Sequence, residues 1–225
     1  MIPLNQRLKK VSQYIKGDYL ADIGSDHAYL PIYAIENQLA TKAIAGEVIK
    51  GPFEASKRSV AEHVLGKVID VRLGDGLSVL DDINEVTAVT ICGMGGPLIA
   101  KILNEGQSKL TNSPRLILQS NVQSSAIRKL LPNLHYTIVA EEIFEEKGHI
   151  YEIIVADYSE QPVSMNEQEL KFGPYLLVEK NAIFYKKWQH ELESLYKIKH
   201  NLNETQHAER LIEINGEINL INEVL

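Results

Sequence analysis

The sequence predicts an α/β protein, a seven-stranded and mainly parallel sheet followed by a helical coiled-coil unit. Three observations carry that expectation. Five β-like runs alternate with helical patterns along the first part of the chain. Two more, His135–Ile143 and His149–Asp157, follow with only the turn Glu145-Glu146-Lys147-Gly148 between them, so they pair antiparallel. From about Glu160 onward strand signals vanish and apolar residues fall at coiled-coil spacing.

The elements follow in order. In YLADIGSDHAY, residues 19–29, an apolar run ends in Asp22-Ile23-Gly24, and a tight polar turn opens the helix-like PIYAIENQLA. Ala43–Val48 reads as a second strand that delivers Glu47, and Val68–Leu73 as a third that runs into Gly74-Asp75-Gly76. Thr87–Cys92 reads as a fourth and runs into Gly93-Met94-Gly95-Gly96, with Pro97–Glu105 helical after it. Pro114–Ser120 is the fifth strand, and a helix through Gln123–Leu131 stops at Pro132. In the tail, Leu211, Ile214, Ile218, Ile221 and Leu225 are spaced 3, 4, 3, 4. Trp188, Leu192, Leu195 and Leu202 form a matching stripe, Asn203–Gln206 links the two, and Gly173-Pro174 breaks an entry helix from the first long one. The expected domains are 1–158 and 159–225.

Length and composition bound the function. A chain of 225 residues buries one substantial core with room for an appendage, and its apolar and charged fractions exclude a disordered chain. One cysteine, Cys92, excludes an internal disulfide and a cysteine-based zinc cluster. No apolar run approaches membrane-spanning length and the N-terminus lacks a signal-peptide core, so the expected location is cytoplasmic, with no membrane partner. The net charge is -7, but residues 141–169 hold nine acids against one base, which leaves the rest near neutral. Arg7, Lys9 and Lys10 cluster at one end, and Lys186 and Lys187 at the other. Each cluster is a candidate for local contact with RNA phosphate, although such runs are usually solvated faces.

Four strand ends carrying polar or glycine residues share one edge of a parallel sheet, where ligands bind. Gly24 lets a nucleotide-like ligand approach the main chain. Glu47, about 20 residues on, suits the two hydroxyls of a ribose. Asp75 suits an adenine amino group, and Gly76 brings its N–H to a ring nitrogen. Gly93, Met94 and Gly95 line the edge after the fourth strand.

Taken in order and spacing, ADIGSDHAYLPIYA, AGEVIKGPFEAS, RLGDGL, ICGMGG and LILQSN resemble the bacterial tRNA (adenine-22, N1)-methyltransferase family. The resemblance implies a class I Rossmann-like methyltransferase fold, S-adenosyl-L-methionine as cofactor, tRNA as substrate, and a C-terminal coiled-coil domain that grips it. Asp26 and Ala28 fill the places of the two further glycines of the usual turn, and the resemblance implies that Asp26-His27 belongs to this family's own pattern, with Asp26 on the cofactor ammonium or capping the following helix. The implied cofactor set is Gly24, Ser25, Asp26, His27, Glu47, Val48, Asp75, Gly76, Gly93, Met94 and Gly95. The target base falls to Asp26, Tyr29, Gln119, Ser120 and Asn121, acting by position, because adenine N1 brings its own lone pair. No second ligand is spaced to join His27, so no metal is expected, and the expected oligomeric state is a monomer or weak dimer. Two rivals come from other classes. An NAD-type oxidoreductase fits Glu47 but lacks G-x-G-x-x-G, and a non-catalytic RNA-binding module would not need the intact set of Gly24, Glu47, Asp75 and Gly93.

Overall fold

A computed structural model describes residues 4–81, 85–203 and 206–225. The strands are β1 (Tyr19–Ile23), β2 (Lys42–Glu47), β3 (Ile69–Leu73), β4 (Ala88–Met94), β5 (Arg115–Ser120), β6 (Tyr136–Glu146) and β7 (His149–Tyr158). They form one sheet in the order β3-β2-β1-β4-β5-β7-β6. The first five pair in parallel, while β7 lies antiparallel to both β5 and β6. The expected hairpin is therefore present, but its turn contracts to Lys147-Gly148. Glu145 and Glu146 stay in the ladder opposite Ile150 and His149, and Gly148 takes the positive φ that the tight turn requires.

Helices α1 (Gln6–Ser12), α2 (Tyr29–Glu36), α3 (Lys50–Glu62), α4 (Gly96–Glu105) and α5 (Ser125–Leu130) flank the sheet. Alternation along the strands fills two layers. Ala21, Ile23, Val89, Ile91, Leu116 and Leu118 pack one face, while Leu20, Ala88, Ile117 and Val155 pack the other. Because β1 is central, its C-terminal end and that of β4 lie at the middle of the edge where the chain reverses its winding.

The tail comprises α6 (Glu167–Phe172), α7 (Pro174–Glu179), α8 (Ala182–His200) and α9 (Ala208–Val224). Gly173, at φ 94°, separates two short helices, and the long helix starts only after a second break. There Lys180 turns left-handed, and the Asn181 side chain accepts from the N–H groups of Ile183 and Phe184. Ile214, Ile218 and Ile221 are buried as the seam requires, but Leu225 is exposed and Val224 takes its place. The seam ends this way because the pair is not free-standing. Phe172, Leu176, Phe184 and Trp188 form a core with Ile143 of β6, so the tail packs on the sheet. Residues 204 and 205 of the expected link lie outside the described residues. No helix among the described residues is long and apolar enough to cross a membrane.

Candidate active site

The turn after β1 is fastened by backbone bonds. The N–H groups of Gly24 and Ser25 both donate to the carbonyl of Gly46, at 2.9 Å each. Gly24 sits at φ 72°, and a Cβ there would come within 2.4 Å of Met94 Cε, so Met94 lies over this glycine. Ser25 is buried under the turn. His27 and Ala28 continue it with φ of 54° and 56° before α2 begins, and the His27 ring stacks on Tyr29 with centroids 5.1 Å apart. Two successive left-handed residues without glycine store strain in this turn. Asp26 does not cap α2; its carboxylate is 81% exposed and lies 3.7 Å from His27 Nε2.

Glu47 is 8% exposed at the end of β2, where the Gly74 N–H donates to its carbonyl. Burial raises the pKa of its carboxyl, opposed by the N–H groups of Val48 and Ile49. Val48 itself is exposed beside it. Asp75 begins a single 3-10 turn without capping it, and its exposed carboxylate makes no hydrogen bond among the described residues. Gly76 follows at φ 52°.

At the end of β4 the register with β5 breaks between Cys92 and Met94. Gly93, at φ 75°, is the bulged residue, and its N–H finds the Gln119 side chain (2.8 Å). Asn121 closes the other side. Its side chain donates to the Gly93 carbonyl and its N–H to the Met94 carbonyl, both at 2.8 Å. Gly95 packs beside Val122 and starts α4. Ser120 turns inward to Ser124 (2.6 Å) and is not presented to a ligand.

A cavity of about 240 Å³ opens on the α1 side of the β1 and β4 ends, lined by Asp22, Gly24, Asp26, Tyr29, Arg7 and Cys92, among others; Glu47 and Asp75 do not line it. Asp22 is the residue that the sequence reading passed over. It is 5% exposed, Thr90 Oγ1 donates to it at 2.6 Å, and burial raises its pKa despite that bond. A carboxylate as the penultimate residue of a buried strand is the signal that pointed to it. Burial also pushes up the pKa of the Cys92 thiol, which is therefore no nucleophile at neutral pH.

The expected RNA contacts are not gathered here. Arg7 turns into the cavity and donates to Gln119, while Lys10 pairs with Glu142 of β6. Lys9 is exposed. Lys186 pairs with Glu145 at 2.5 Å and Lys187 with the buried Glu152, so both lysines dock α8 onto the hairpin.

Comparison with known proteins gives one answer. The profile of the family described as tRNA (adenine(22)-N(1))-methyltransferase matches residues 20–223. The Bacillus subtilis protein of that name is 42% identical, across 100% of this chain and 98% of its own length. The crystal structure of the B. subtilis m1A22 tRNA methyltransferase superposes with a TM-score of 0.93 at 42% identity, covering 100% of this chain and 99% of that one. A Streptococcus pneumoniae relative solved in complex with S-adenosyl-L-methionine gives 0.89 at 40% identity, covering 99% of this chain and 100% of that one.

Proposed function

The chain belongs to the tRNA (adenine(22)-N(1))-methyltransferase family, and on that ground we infer that it methylates N1 of adenine 22 in tRNA, with S-adenosyl-L-methionine as donor. The observation that carries this beyond family likeness is the shared edge of β1, β2, β3 and β4, where Gly24, Glu47, Asp75 and Gly93 stand at successive strand ends. The donor set fits the cofactor. Glu47 and Asp75 are acceptors, suited to ribose hydroxyls and an adenine amino group, which donate. Gly24 leaves the main chain approachable for the methionine part, with Ser25, Asp26 and His27 beside it and Asp26 exposed to meet an ammonium group. Val48, Gly76, Met94 and Gly95, at or after the ends of the same strands, would complete the cofactor's surroundings. The oxidoreductase reading loses its ground, since the sheet closes with an antiparallel hairpin rather than a sixth parallel strand.

When bound, the cofactor supplies a sulfonium methyl, which passes to the in-plane lone pair of adenine N1 while sulfur keeps the bonding electrons. The protein's task is then position, since no proton leaves N1 before transfer. The carbonyls of Gly93 and Met94 each already accept from Asn121, which suits a target whose amino group need not be oriented for attack. Tyr29, Asp26 and Asn121 surround the place for the displaced base. Residues 1–158 provide this chemistry. Residues 159–225 and the basic N-terminal segment provide tRNA grip, with the Lys186 ammonium on α8 and Lys9 on α1 as exposed cations.

The test is an unmodified tRNA transcript incubated with methyl-labelled cofactor, with the modified base located by reverse-transcription arrest. Arrest at adenine 22 is expected. Label at another position, or none, overturns the reading.

A further inference from the structure

We propose that Arg7 is a positioning residue for methyl transfer, acting through Gln119 on the Gly93–Met94 peptide and not on RNA phosphate. The inference rests on reading this edge as the methyl-transfer site.

The bulge at Gly93 leaves the main-chain N–H of an otherwise exposed residue without a strand partner. Gln119, fully buried on the neighbouring strand, supplies the missing acceptor. The same Gln119 Oε1 accepts from Arg7 Nη1. A guanidinium only donates, so it helps fix which end of the amide faces the bulge. The other end, Nε2, then donates to Asn121 Oδ1 at 3.1 Å, and that in turn points Asn121 Nδ2 at the Gly93 carbonyl. One cation thus sets the polarity of a relay that holds both sides of the Gly93 residue. Met94, the next residue, lies over Gly24, the glycine of the cofactor turn. Arg7 thereby couples the bulge to the place where cofactor and base would meet.

Arg7 is itself held. The carboxylate of Glu146 accepts from the N–H groups of Gln6 and Arg7 at 2.8 and 3.1 Å, at the N-terminal end of α1. Lys10 pairs with Glu142, one turn along, and the Arg7 guanidinium lies 5.7 Å above the Tyr151 ring. A cation packed this way has Nη1 committed to Gln119, and a Cβ added to Gly93 would lie only 3.0 Å from that atom.

The experiment is steady-state methylation of unmodified tRNA by the full-length parent, Arg7→Ala and Gln119→Glu, at several salt concentrations. Glutamate keeps acceptors for Arg7 and Gly93 but cannot donate to Asn121. Both variants should lose about tenfold in kcat, the scale of one charge-assisted hydrogen bond. The KM for tRNA and its salt dependence should stay those of the parent. Arg7→Ala with a raised KM, a salt slope reduced by about one and an unchanged kcat would make Arg7 a phosphate contact and overturn the proposal. An unchanged rate in Arg7→Ala would overturn it equally. A parent silent on tRNA overturns the reading of the site, and the relay with it; an active parent with either of those results overturns the relay alone.

Discussion

Arg7 and Arg128 are both arginines reaching side chains on the strands, yet one borders a cavity and the other closes a joint. Arg128 is fully buried on α5. Its Nε donates to Glu141 of β6 and its Nη2 to Glu152 of β7, both at 2.7 Å, and its Nη1 reaches the Lys171 carbonyl at the end of α6. Glu141 also accepts from the Tyr175 N–H of α7, and Glu152 takes Lys187 of α8. Every tail helix but α9 is tied to the sheet by this cluster. Arg7 touches a neutral amide beside an open cavity. The difference is one of solvent access: ion pairs in the dry interior are satisfied only in one arrangement, whereas amides at an open edge can exchange partners when a ligand arrives.

The joint should therefore be the more damaging to break. Removing Arg128 leaves two carboxylates enclosed with Lys187 as their one remaining cation, and Arg128→Ala should cost about 3–5 kcal/mol, read as a lowered urea midpoint. Arg7→Ala should leave that midpoint nearly unchanged. Equal losses would erase the contrast.

Within the same joint Glu152 should titrate in acid, opposed by Glu141, whose pKa burial raises and whose contribution has the opposite sign. Burial alone would raise the pKa of Glu152, but Lys187 and Arg128 outweigh it and hold the carboxyl at about 2. A depressed folded-state pKa contributes stability that is complete above the unfolded value of about 4.5 and is lost as the pH falls toward 2. Stability measured from pH 6 downward should decline through that window, and Glu152→Gln should flatten the decline. Arg115, hydrogen-bonded to Asp157 at 2.7 and 2.6 Å, lowers that pKa as well and adds a smaller share of the same sign.

This contrast also marks what the sequence could tell. Burial on both faces made β1, β2, β4 and β5 legible as apolar runs that end in turns, while the half-exposed edge strand β3 was marked by the glycines that follow it. The hairpin was legible from the lack of room between two runs. Spacing also put Gly24, Glu47 and Asp75 at or just past strand ends, which is where the structure has them. Asp22 was hidden because a buried carboxylate inside an apolar run looks like an interruption until Thr90 is seen beside it. The ion pairs of the basic clusters were hidden for a related reason. The acids of residues 141–169 were counted apart from the lysines, yet Glu142 faces Lys10, Glu145 faces Lys186 and Glu152 faces Lys187. Pairs between residues up to 132 positions apart leave no local pattern.

On the site's side of the comparison, Glu47→Ala should weaken S-adenosyl-L-methionine binding by about 1.5–3 kcal/mol, the range for a lost charged hydrogen bond. Titration calorimetry on the folded variant measures it. An unchanged dissociation constant would remove the ribose assignment and leave the strand end a structural carboxylate.

The smallest expected effect decides the most about the tail. Lys186 lies on α8 next to Lys187, but its side chain is 58% exposed and its partner Glu145 stands near the rim of the hairpin, not in the joint. An exposed pair in water gives back most of its Coulomb energy to screening and side-chain entropy, so Lys186→Ala should change stability by no more than about 1 kcal/mol. Its ammonium remains accessible while paired, so a phosphate can compete for it at little cost. The variant should thus keep the parent's urea midpoint while raising the KM for tRNA and lowering the slope of log KM against log salt by about one. Lys187→Ala should do the reverse, losing stability because Glu152 is left buried with Arg128 alone. If Lys186→Ala leaves the KM and the salt slope unchanged, both lysines belong to the joint and the tail's grip on RNA must lie elsewhere on its surface.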